Sequence, residues 1–223
     1  MSEIVEASKL KKTKEKKFKR FIIVNDDDNE TNTETNTETN NEVKSIYDDF
    51  WENNNKNNKP TRLERYKKHG SPIGILNFIS IGCGPKMGNI LEEFARFKFS
   101  CLQKRNKGLN TGYDHKVTIG SKEIYIEQKS SGHWGEDGYK WQHVEVKHKW
   151  HILLLSGIDY HDIKFWVMNR QVFNSLIEEK KITNQGNKTK ESSEGMWFNY
   201  SDVKCSLIQI NTNEELLEYI NIN

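Results

Sequence analysis

From residue 85 onward the apolar positions fall into short runs with two distinct periods. In "GPKMGNILEEFARFKFSCLQKR", Met87, Ile90, Leu91, Phe94 and Phe97 recur at helical spacing, and Pro85 suits the first helical position. In "HKVTIGSKEIYIEQK" the period drops to two: Val117, Ile119, Ile124 and Ile126 alternate with polar residues around Gly120-Ser121, which predicts a β-hairpin with a two-residue turn. A Gly-rich loop, "SSGHWGEDG", follows, and then a short predicted helix around "YKWQHVEVKH". "WHILLLSGI" and "IKFWVM" are apolar runs of strand length separated by the turn-like "DYHD". "NRQVFNSLIEEKK" predicts a helix, "ITNQGNKTKESSEG" a long polar loop and "NEELLEYI" a closing helix. Strands apolar on both faces, set among helices, point to an α/β fold with a central mixed sheet flanked by helices.

The first third reads differently. Residues 1–41 join a basic run to the repetitive polar tract "NDDDNETNTETNTETNNE", which cannot bury a core and predicts a disordered tail; within it "FKRFIIVND" has the look of a short strand. Residues 42–81 predict a helical extension: "SIYDDFWE", a linker "NNNKNNKP", and "TRLERYKKHG", a helix ended by Gly70. Arg62, Arg65, Lys67 and Lys68 give that helix a basic surface, suited to phosphates or simply to solvent. Residues 82–223 then form the core unit.

Composition agrees with that division. Hydrophobic residues make up 34% of the 223, and the mean hydropathy is −0.87, so part of the chain lies outside any core. Net charge is only +2, but residues 1–20 hold eight Lys/Arg against three Glu. Cys83, Cys101 and Cys205 are odd in number and lack zinc-ligand spacing, which points to free thiols in a reducing compartment. His115, His133, His148 and His151 add no zinc pattern. No apolar run reaches 18 residues and the N-terminus lacks a signal-peptide core, so the expectation is an intracellular, cytoplasmic protein, or a nuclear one in a eukaryote.

The hairpin carries the candidate chemistry. If Gly120-Ser121 is the turn, Ile119 pairs with Lys122, and stepping outward brings Asp114 opposite Glu127. Their Cβ atoms would lie about 5 Å apart. Two carboxylates that close repel unless a cation lies between them, and hard oxygen ligands suit Mg²⁺. Lys129 shares the face of Glu127, where its ammonium can stabilise charge on a phosphate. The plain alternative is a cross-strand ion cluster on the surface.

With "GYD", "IEQKSS", "NILEEF" and "WQH" in this order, and more loosely "LLLSGID" with "FWVM", the chain resembles the PD-(D/E)xK nuclease superfamily, and within it type II restriction endonucleases. The resemblance covers residues from about 82 to the C-terminus and implies a restriction-endonuclease-like core. It implies Asp114 as the first metal ligand, with Tyr113 standing where the motif has Pro. Glu127 would be the second ligand, the Gln128 carbonyl a third, and Lys129 the catalytic lysine. Glu92 or Glu93 would add an acid from the preceding helix, with Glu92 preferred because "GNILE" resembles the family's Gly-x-x-x-Glu pattern. Gln142 matches a glutamine on the helix after the lysine, beside His143.

The implied activity is Mg²⁺-dependent, sequence-specific hydrolysis of double-stranded DNA by a homodimer, with a cognate DNA methyltransferase as a further partner. Phosphate contacts would come from Lys98, Lys104, Arg105, Lys107, Lys116 and Lys140. Base readout would fall to loops carrying Trp134 or Asn184, Gln185, Asn187, Lys188 and Lys190. Two other functions stand beside this one: a structure-directed repair or junction-resolving nuclease, and a DNA-binding module without catalysis.

Overall fold

The computed structural model describes residues 60–82, 84–105, 112–135, 138–185 and 195–222. These belong to one compact unit, Lys56–Asn223. The expected tail, the "FKRFIIVND" strand, the "SIYDDFWE" helix and residues Cys83, Lys107, Asn187, Lys188 and Lys190 lie outside the described residues. Among the described residues, no helix is long and apolar enough to cross a membrane.

The chain enters through α1 (Arg62–Lys68) and α2 (Ile73–Ser80), then α3 (Pro85–Lys98) and the short β1 (Gln103–Lys104). The predicted hairpin follows as β2 (His115–Ile119) and β3 (Lys122–Gly132). Next come β4 (Lys140–Val144), β5 (Ile152–Ile158), β6 (Ile163–Asn169) and α4 (Arg170–Glu178). The chain closes with β7 (Thr183–Asn184), β8 (Met196–Asn199), α5 (Tyr200–Val203), a 3₁₀ turn, β9 (Ile208–Ile210) and α6 (Asn213–Ile222). Six strands form a mixed sheet in the order β1-β2-β3-β5-β6-β9, in which β3 and β5 run parallel. A second sheet holds β4, β8 and β7.

Every residue of β5 is buried, as a central strand with both faces covered requires. On one face α3 and α6 pack Ala95, Phe99 and Leu216 against Ile126, Leu154 and Val167. The opposite face meets the smaller sheet and α4 through an aromatic core that includes Trp141, Trp150, Trp166, Phe173 and Phe198. Asn169 caps α4 by accepting the Val172 N–H at 2.9 Å.

The hairpin register is as expected from Ile119↔Lys122 to His115↔Ile126. Gly120 has a φ of +60°, and Ser121 is not among the positive-φ residues, the combination of a type II′ turn. Three expectations change. The segment around Trp141 is a strand, not a helix. Val144 pairs with Met196 and Trp141 with Phe198, and the bulge between them puts His143 at φ +59°. That bulge sets the two buried residues three apart, a spacing that imitates a helix. In α3 the buried stripe is Met87, Leu91 and Ala95, while Ile90 and Phe97 are exposed, Phe97 by 86%. Finally, α1 and α2 are part of the packed unit: Tyr66 is fully buried with Ile75, Ile79, Leu91 and Ile158, and its hydroxyl donates to the Ile158 carbonyl.

Candidate active site

Eleven-residue β3 outruns five-residue β2, and this mismatch creates the site. Their ladder stops at His115↔Ile126, so the last residues of β3 have an edge that β2 leaves uncovered. A groove of about 510 Å³ runs along that edge. Its floor is residues 128–132 of β3, one wall is the first half of α3, and the other is β4 with Lys140, Gln142 and His143.

Asp114 sits at the head of this edge, one residue before β2. Its N–H donates to the Ile126 carbonyl at 2.9 Å, and its Oδ2 accepts the N–H of Gln128 at 2.9 Å. The carboxylate thus takes the place of a main-chain acceptor where the ladder ends. Because N–H and C=O of one strand residue point to the same side, the Gln128 carbonyl also faces the open edge. Arg105 approaches Asp114 Oδ1 at 3.7 Å, so this lysine-and-arginine set is partly committed to holding acids rather than phosphates.

Glu127 and Lys129 project from the other parity of β3. Lys129 Nζ donates to Glu127 Oε1 at 2.5 Å. Lys129 lines the groove, whereas Glu127 lies beneath it with its side chain only 6% exposed. Burial pushes the Glu127 carboxyl up and the neighbouring Asp114 charge adds to this, while Lys129 opposes both. Glu92 enters from α3 across the groove. Burial, and then repulsion from Asp114, push its carboxyl up to about 7 against the pull of Arg96. Glu93, one residue on, is exposed and points away from the groove lining. The helix therefore offers one acid to the site.

Oxygen donors dominate this set: the carboxylates of Asp114, Glu127 and Glu92, and the carbonyl of Gln128. Among the described residues, no three His, Cys, Asp or Glu side chains converge closely enough to hold a metal ion by themselves. The donors nonetheless fit a hard cation in chemical type, since Glu92 and Glu127 are both raised by the charge of Asp114, a repulsion that a divalent ion relieves. Glu127 bonds Lys129 through Oε1, and Asp114, whose Oδ2 accepts from Gln128, has only Arg105 beside its Oδ1, at 3.7 Å.

Beneath the acids lies a polar chain that the motif does not include. Arg96 Nη1 lies 3.8 Å from Glu92 and 3.1 Å from His115 Nδ1. His115 Nε2 meets Gln128 Oε1 at 2.8 Å, so Nε2 carries the proton and Nδ1 accepts from Arg96. Gln128 Nε2 then donates to Ser156 Oγ at 3.3 Å, and Ser156 Oγ donates to Ser130 Oγ at 2.8 Å. Burial drives His115 down to about 4, so it is neutral at pH 7. Hairpin parity carries the signal for this chain: His115 and Gln128 continue the face of Val117, Ile124 and Ile126.

The residues expected to touch DNA divide. Lys140, Gln142, His143 and Trp134 line the groove with Arg62, whose guanidinium lies 5.7 Å from the Trp134 ring centre. Lys140 Nζ stands 4.0 Å above Trp197. Lys116 is paired with Glu123 at 2.5 Å and is not part of the groove lining. Asn184 and Gln185 lie at β7, away from that lining, with the Asn184 carbonyl accepting the Trp197 indole N–H at 3.1 Å. Compared with family models, with curated proteins and with solved structures, the chain matches none.

Proposed function

We propose that the chain is a Mg²⁺-dependent endonuclease that hydrolyses phosphodiester bonds of double-stranded DNA at a short sequence, on a restriction-endonuclease-like core. The observation that carries this reading is the open edge of β3, where Asp114, the Gln128 carbonyl and Lys129 meet Glu92 across one groove. A surface ion cluster would leave its acids wet and at ordinary acidity. Here Glu127 is buried and Glu92 sits near 7.

Asp114, Glu92 and the Gln128 carbonyl, which border the groove, would hold the ion, with Glu127 drawn toward them from beneath when it binds. When bound there, Mg²⁺ supplies Lewis-acid polarisation of a phosphoryl oxygen and acidifies water. The chain supplies the rest. Lys129 presents an ammonium to the charge that builds on phosphorus, held in place by Glu127. Glu92 faces Asp114 across the groove from α3, and as a carboxylate it would complete the oxygen ligands on that side. Arg62, Lys140 and Gln142 line the groove where a DNA backbone would lie. One chain carries one such site, so cutting both strands calls for a homodimer. The direct test is cleavage of plasmid DNA with Mg²⁺ by wild type and by Lys129→Ala. The proposal predicts loss of cleavage in the variant with DNA binding kept, and equal rates would refute it.

A further inference from the structure

The groove changes character along its length. Asp114, Glu92 and the Gln128 carbonyl make one end acidic, whereas the other end, past Lys129, is cationic and aromatic. There β3 finishes at Gly132, and the loop that follows presents Trp134 to solvent with 52% of its surface exposed. Trp141, Trp150 and Trp166 are buried in the aromatic core, and Trp134 takes no part in it. It is held through its main chain instead. Its N–H donates to the Gly138 carbonyl at 2.6 Å, and the Gly138 N–H donates to the Gly135 carbonyl at 3.2 Å. The indole is fixed at its base while much of the ring stays open.

Arg62 reaches the same place from α1. Its guanidinium lies 5.7 Å from the Trp134 ring centre. It rests over Gly132, where a Cβ would stand 3.3 Å from Nη1 and 3.4 Å from Cδ, so the floor at this point has room for the guanidinium and little else. Arg62 makes no ion pair among the described residues. Helix stability does not account for its position either, since a cation in the first turn opposes the helix dipole. Lys140 closes the other wall of the groove.

An apolar ligand would leave both cations without a counter-charge, and a bare anion would leave the ring idle. We propose that Arg62 and Trp134 form a subsite for one nucleotide of the DNA strand in the groove, with Trp134 stacked on its base and Arg62 at its phosphate. This rests on the reading of the groove as a DNA site and adds to it the kind of DNA that fits best. Trp134 follows Lys129 by five residues. At the rise of a strand that is within about 17 Å, or up to about five nucleotide steps along a duplex. Inside a continuous duplex both faces of each base are covered by its neighbours, so the ring can stack only on a base that has left the stack. A plain duplex pays for that unstacking, whereas a bulged base is ready. Because stacking grips a face and not an edge, the contact tolerates any base.

The test is fluorescence anisotropy of the full chain with labelled duplexes of one sequence, with Ca²⁺ replacing Mg²⁺ so that binding is read without cleavage. One duplex is fully paired, and the others carry a single unpaired base at successive positions. Wild type should bind at least one bulged duplex at least about tenfold tighter than the paired one. Trp134→Ala should abolish this preference at an unchanged thermal midpoint, and Trp134→Phe, which keeps a ring, should retain most of it. Arg62→Ala should weaken binding to every duplex and lower its salt dependence by about one phosphate contact. Equal affinity for paired and bulged duplexes overturns the proposal. So do a preference that survives in Trp134→Ala, an unchanged salt dependence in Arg62→Ala, and an absence of binding to any duplex. Plasmid cleavage with Mg²⁺ but no Trp134-dependent preference sinks the subsite alone, and a Trp134-dependent preference without cleavage sinks the nuclease reading alone.

Discussion

The Gln128 amide donates to the carboxylate of Asp114 at 2.9 Å, joining two strands at the point where their main-chain ladder ends. One side chain thus has two tasks, closing the sheet edge and placing a negative charge in the groove. The tasks separate by substitution. Asp114→Asn keeps an acceptor oxygen but loses the charge, so it should retain wild-type stability and lose Mg²⁺-dependent cleavage. Asp114→Ala loses both, and should in addition destabilise the fold by about 1–2 kcal/mol in urea titrations.

Lys129 and Glu127 form a pair in which the acid is buried and the base half-covered. Lys129→Ala removes the ammonium that opposes the raised pKa of Glu127. The substitution should therefore cost more stability at pH 8 than at pH 4, because Lys129 favours the ionised form of a carboxyl whose protonation burial favours. Urea midpoints at the two pH values check this, and cleavage should fall by at least about 100-fold at any pH where wild type is active.

Glu92 links the groove to pH. Its ordinary value is 4.5 and its folded value about 7, so between these the folded chain holds a proton that the unfolded chain has lost. Without metal, this part of the stability is complete below about pH 4.5 and disappears as pH rises through about 7. Glu92→Gln should flatten that decline by about 1–3 kcal/mol. Mg²⁺ should raise the unfolding midpoint more at pH 8 than at pH 6, because binding must expel the proton.

His115 has the opposite sign. It is neutral in the fold with a value of about 4 against an ordinary 6.5, so its contribution is complete above pH 6.5 and falls as pH drops through about 4. His115→Leu should cost about 2–4 kcal/mol at pH 7, since it strands Arg96 and Gln128, and should make the acid decline shallower.

How much of this was legible in the chain depends on periodicity. The hairpin could be read residue by residue because alternation and a Gly-Ser turn agree, and that register placed Asp114, Glu127 and Lys129 on adjoining strands. Where the ladder actually ends was not legible, since it depends on the length of β2 against β3. The segment at Trp141 misled because a bulge at His143 put its inward residues three apart. In α3 the stripe contained more apolar residues than the sheet could cover, so Phe97 stayed outside. Tyr66 gave no signal at all: it is buried against Leu91 and Ile158, whose carbonyl accepts its hydroxyl, and no local pattern encodes these long-range contacts.

The central claim is that the groove along β3 cuts DNA, and the most direct measurement is digestion of a sequenced plasmid with Mg²⁺ followed by mapping of the ends. The account predicts discrete ends at one short sequence, absent in EDTA and absent with Lys129→Ala. Intact plasmid, a featureless smear, or the same ends from Lys129→Ala would contradict it.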